Sequence, residues 1–81
     1  MKLPRDVSGQ QLARLLQRFE YRTSRQTGSH MRLVSTLRGE EHAVTIPAHR
    51  QLPAGTLSSI LGEVAGYLGM EKAALIDALF G

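Results

Sequence analysis

The chain has 81 residues and not one cysteine or tryptophan. The missing thiols exclude disulfide bonds and cysteine-ligated zinc, and they suit a reducing cytoplasm. Only 5% of the residues are aromatic, so nucleic-acid bases would find few rings on which to stack. Long apolar runs are absent too: the longest cover a few residues, where a membrane span needs about 20. Nothing resembles a signal peptide, so neither secretion nor a membrane partner is expected. Acidic residues are sparse and form no D-x-D pair. No glycine-rich phosphate loop is present, and no Ser/His/Asp set stands out. The histidines at 30, 42 and 49 lie 12 and 7 residues apart, which matches no spacing that holds a metal on one element. No metal and no cofactor are therefore expected.

What is present is basic charge, unevenly placed. Residues 1–50 carry nine Lys or Arg, Lys2 among them, against four acids, a net +5. Residues 51–81 carry Lys72 against Glu63, Glu71 and Asp77, a net −2. Eight of the nine early cations are arginine, whose planar fork grips phosphate with two bonds. An anionic partner on one face is one reading of this asymmetry, and a solvated surface is the other. A chain of this length buries roughly 60% of its unfolded surface, enough for one modest core, so residues 1–81 are read as a single domain.

The hydrophobic pattern supplies the order of elements. Ser8-x-x-Gln11 has the form of a helix capping box, and Leu12, Leu15, Leu16 and Phe19 follow at helical spacing. A helix over about 9–20 is expected. Residues 21–26 read as a weaker strand with poor alternation. Thr27-Gly28-Ser29 is a turn. The strand over 30–37 should point Met31, Leu33 and Leu37 one way and His30, Arg32, Val34 and Thr36 the other. Arg38-Gly39-Glu40 turns the chain into a third strand, in which His42, Val44 and Ile46 share a face and Pro47 ends the pairing. A second helix buries Leu57, Ile60, Leu61, Val64 and Leu68. A short last helix over about 70–79 offers Leu75, Ile76 and Leu79 either to this core or to a partner. The class is α+β, in the order α-β-β-β-α with an extra C-terminal helix. Helices on one side of the three-stranded antiparallel sheet leave its other face open to a ligand.

His30 is the sharpest candidate for chemistry. Histidine is the side chain that changes charge nearest neutral pH, and strand alternation puts this one beside Arg32. Cleaving an RNA phosphodiester requires a proton to leave the 2′-hydroxyl and another to reach the departing oxygen, while a guanidinium steadies the phosphate. An ordinary surface histidine is the competing reading. His49 sits beyond the third strand as a loop histidine or an auxiliary contact. His42 is assigned to the core edge with no role.

Five stretches together resemble the HicA family of mRNA interferase toxins. They are Ser8-Gly9-Gln10-Gln11-Leu12, Tyr21, Arg25-Gln26-x-Gly28-Ser29-His30, Thr45-Ile46-Pro47-x-His49 and Gly55-Thr56-Leu57-x-x-Ile60-Leu61, running in the family's order. The resemblance implies a double-stranded-RNA-binding-like fold and metal-independent cleavage of mRNA, with His30 as the catalytic residue. It also implies a HicB-type antitoxin as neutralising partner. Arg25, Ser29, Arg32 and His49 are the expected substrate contacts. A silent RNA-binding module and a protein-interaction domain are the alternatives. Two departures stand out. Glu20 occupies a position where the family often has glycine, so the first helix needs another cap or a left-handed residue. Beyond Leu61 the ending is longer than usual.

Overall fold

The computed structural model describes residues 3–81; Lys2 lies outside them. Helix α1 runs Gly9–Leu15 and tightens into a 3-10 turn over Leu16–Phe19. Ser8 caps it, its Oγ accepting the Gln11 amide at 3.0 Å. Leu12 and Leu16 are fully buried, with Leu15 and Phe19 packed beside them, which is the expected stripe. Glu20 then takes φ 63° and ψ 26°, the left-handed conformation that a helix-ending glycine adopts without strain. The turn is sharp because the next residue, Tyr21, dives into the core at zero exposure. Glu20→Gly is expected to stabilise the protein by about 1 kcal/mol, read as a higher denaturant midpoint at unchanged slope. An unchanged or lower midpoint would show that the site carries no strain.

Strands β1 (Arg22–Gln26), β2 (His30–Ser35) and β3 (His42–Pro47) form an antiparallel sheet in the order β1-β2-β3. Met31 and Leu33 of β2 and Val44 and Ile46 of β3 turn inward against the helices. β1 begins one residue later than the sequence suggests, because Tyr21 belongs to the core and not to the edge strand. β2 ends two residues earlier. Ser35 takes the last inward position, donating to the Phe19 carbonyl at 2.7 Å and accepting the Leu37 amide at 3.2 Å. That side-chain bond bends the chain out of the strand. Leu37, expected on the buried face, is therefore 42% exposed.

Helix α2 (Ala54–Leu68) buries the predicted stripe and closes at left-handed Gly69. Helix α3 (Lys72–Phe80) buries Leu75, Ile76 and Leu79, so these side chains complete this protein's own core. The Arg18 guanidinium donates to the Ala78 carbonyl near the end of α3. Among the described residues no helix is long and apolar enough to cross a membrane.

A polar cluster ties the far end of the sheet to α2. The Tyr21 hydroxyl and His42 Nδ1 are hydrogen-bonded at 2.7 Å, and the His42 ring stacks on Tyr67 with centroids 4.8 Å apart. Tyr67 Oη accepts the Arg38 amide at 2.9 Å and donates to the Glu40 carbonyl at 2.5 Å. His42 thus acquires a structural task that its place in the sequence did not reveal. Burial, and then the neighbouring Tyr67 and Glu63, push the Tyr21 hydroxyl up to about 12. An unfolded tyrosine ionises near pH 10. The contribution to stability is therefore complete below about pH 10 and disappears as pH rises toward about 12, a loss of roughly 2–3 kcal/mol. Denaturant titrations across this window should show it, with Tyr21→Phe flattening the decline. An equally steep decline in Tyr21→Phe would assign the effect elsewhere.

Candidate active site on the open sheet face

The hairpin between β1 and β2 holds His30. Thr27 is its clasp: the Thr27 amide donates to the His30 carbonyl at 2.9 Å, and Thr27 Oγ1 accepts the His30 amide at 3.1 Å. His30 is thereby fixed as the first residue of β2, with its imidazole exposed on the sheet face away from the helices. Ser29 Oγ lies 3.0 Å from His30 Nδ1. With the proton on Nδ1, that N–H donates to Ser29 and Nε2 turns a free lone pair to solvent, as a base requires.

Arg32, two residues along β2, lies on the same face. Its Nη1 donates to Ser24 Oγ at 3.0 Å, and Ser24 Oγ donates to the Arg32 carbonyl at 3.2 Å. Ser24 is the residue left without a partner where the register shifts between Thr23, opposite Leu33, and Arg25, opposite Arg32. This is a bulge, and it decides the site. Strict alternation from Thr23 would send Arg25 to the helix side; the extra residue re-aims it beside Arg32. Arg22, opposite Val34, adds a third guanidinium to the face. The outward residues of the three strands are Arg22, Ser24, Arg25, His30, Arg32, Val34, Ala43, Thr45 and Pro47, and none is acidic. Around His30, Arg32 and Arg25 an anion meets donors and neutral groups from the strands; the Glu20 carboxylate lies at the far edge, beside Arg22, Val34 and Thr36.

Of the expected site residues, the structure brings together Arg25, Ser29, His30 and Arg32. His49 stands apart, exposed in an adjoining cleft of about 280 Å³ lined by Ser8, Gln10, Ala48 and Arg50. The cleft is fixed to the hairpin: the Ala48 amide donates to the Ser29 carbonyl at 2.9 Å, and His30 pairs with Pro47. On the other side the Gly9 amide donates to the His49 carbonyl at 3.0 Å. A Cβ on Gly9 would lie 2.0 Å from the Pro47 oxygen, so this approach of helix to loop requires glycine. Ser24 was not singled out from sequence, and Thr27 and Gly9 entered only as a turn residue and as part of a family-like stretch, with no role at the site. The one available signal was the poor alternation of residues 21–26, which a bulge explains. Among the described residues no three His, Cys, Asp or Glu side chains gather closely enough to share a metal ion.

An exposed imidazole, an orienting hydroxyl and cationic side chains on one open face form a set suited to a phosphodiester. A family model described as the HicA toxin of bacterial toxin–antitoxin matches residues 9–67. The matched span takes in α1, the whole sheet and nearly all of α2, and leaves α3 outside. No curated protein and no solved structure matches the chain.

Proposed function

Since the chain belongs to the HicA family of toxins from bacterial toxin–antitoxin systems, we propose that it is a metal-independent endoribonuclease acting on mRNA in the cytoplasm, with residues 1–81 as one catalytic domain. The observation that carries this reading is the exposed His30 on a sheet face where the bulge at Ser24 turns Arg25 toward Arg32.

In the reaction, His30 Nε2 takes the proton of a ribose 2′-hydroxyl. The 2′-oxygen bonds to the adjacent phosphorus, and the bond from phosphorus to the next 5′-oxygen breaks. That oxygen receives a proton from the imidazolium, leaving a 2′,3′-cyclic phosphate and a 5′-hydroxyl. Arg32 and Arg25 hold the phosphate oxygens, whose charge grows in the transition state. Arg32 is the better prepared of the two, because its bond to Ser24 keeps the guanidinium in place before substrate arrives. Ser29 sets the tautomer and ring direction of His30. His49 is an auxiliary contact at the edge.

A nuclease that cuts host mRNA needs a restraining partner, and a HicB-type antitoxin with acidic residues against this face fits that need. The strands place no acidic side chain on the face around His30 to oppose it.

The test uses the purified, partner-free chain on single-stranded RNA with and without EDTA. Cleavage at the same rate in both is the expected result. Loss on chelation, restored by one divalent ion, would overturn metal independence. A folded chain that leaves RNA intact under every condition would overturn the nuclease reading.

A further inference from the structure

The geometry points to the cleft between the start of α1 and the segment after β3 as a second phosphate subsite. It would grip the same RNA strand on the side of His30 away from Arg32. This inference rests on the reading of the protein as RNA-binding and extends it to residues outside the reacting centre.

The polar side chains of the cleft are Ser8, Gln10, His49 and Arg50, with no carboxylate among them. Each has a donor to offer. Ser8 Oγ already accepts the Gln11 amide, which leaves its hydroxyl hydrogen for an outside acceptor. Gln10, His49 and Arg50 are exposed. Arg50 brings the bidentate fork best matched to a phosphodiester.

The cleft is also rigid. Three backbone hydrogen bonds strap the segment that forms its wall: Gly9 to the His49 carbonyl at 3.0 Å, Ala48 to the Ser29 carbonyl at 2.9 Å, and Leu52 to the Val7 carbonyl at 2.7 Å. The middle bond joins the wall to the residue immediately before His30. The cleft and the imidazole are thus held in one frame, as a pre-organised site requires. Arg32 lies two residues beyond His30 along β2. In the other direction, Pro47, which pairs with His30, leads directly into Ala48, His49 and Arg50. His30 therefore stands between the Arg25–Arg32 pair and the cleft that holds Arg50. One holds the phosphate that reacts, and the other is positioned for a neighbouring phosphate of the strand.

The experiment measures binding of a labelled single-stranded RNA to the full chain carrying His30→Ala, which prevents cutting. Adding Arg50→Gln should weaken binding about tenfold, the effect of losing a charge-assisted contact. It should also reduce the slope of log affinity against log salt by about 0.7, one phosphate contact on a single strand. Arg38→Gln removes the same charge at the distal turn and is the control for net charge. With His30 intact, Arg50→Gln should raise KM about tenfold and leave kcat unchanged, because a contact remote from the reacting atoms binds ground and transition states alike. Equal losses from Arg38→Gln and Arg50→Gln, or no loss from Arg50→Gln in a chain that melts normally, would overturn the subsite and leave the nuclease reading intact. Failure of the His30→Ala chain itself to bind RNA would overturn both.

Discussion

His30→Ala is expected to leave the protein folded and to abolish RNA cleavage and the growth inhibition that follows from it. The backbone of residue 30 keeps both its bonds to Thr27, because these use the amide and the carbonyl. The side chain is exposed and gives up only its contact with Ser29 Oγ. Such a truncation changes stability by no more than about 0.5 kcal/mol. The chemical step loses its acid–base group, a loss of about 10²–10⁴-fold. Melting curves and a gel assay on the same preparation separate the two effects. A folded His30→Ala protein that cuts RNA at the parental rate would remove His30 from the mechanism.

Gly9→Ala should act in the opposite way, on structure first. Helix propensity alone predicts that alanine stabilises this position by up to about 1 kcal/mol. Packing predicts the reverse. The new methyl carbon would sit 2.0 Å from the Pro47 oxygen, 3.1 Å from the Pro47 carbonyl carbon and 3.3 Å from the Ala48 Cα. All three are backbone atoms, so no side chain can swing aside. The helix start must back away from the loop, which costs about 1–3 kcal/mol or more. For a chain of this size that is a large part of a total stability of about 4–12 kcal/mol. The bond from Gly9 to the His49 carbonyl would stretch, and the displacement would reach Ser29 through Ala48. Cleavage should therefore fall even at temperatures where the variant remains folded. A denaturant midpoint equal to or above the parent's would show that propensity wins and that the close approach is not required.

Glu20 shows sequence and structure agreeing in a specific way. The missing glycine at the end of the first helix left two outcomes, a different cap or a left-handed residue, and the chain takes the second. The following residue, Tyr21, enters the core at once, and the left-handed step at Glu20 turns the backbone toward it. Leu37 shows the opposite. Counting by twos placed it inside, but a serine hydroxyl two residues earlier captures its amide and ends the strand. Alternation has no means of registering a side chain that competes for the ladder.

By itself the sequence determined the α+β class, the order of elements and the buried stripes, because hydrophobic spacing at periods near 3.6 and 2 is a property of the chain alone. It also singled out His30 and Ser29, which are neighbours along it. What only the tertiary structure decided were the relations between residues far apart in number. The register shift at Ser24 put Arg25 beside Arg32, since pairing with a second strand, and not local preference, sets which way an edge residue points. The contact of Gly9 with Pro47 assembled the cleft around His49 and Arg50 from two distant segments. The stacking of His42 on Tyr67 gave a structural task to a histidine that had none. The fate of Leu75, Ile76 and Leu79 was settled in the same way. Their spacing suits either a partner or a core, and the packing of α3 against α2 buries them in this protein's own core, where apolar surface leaves water.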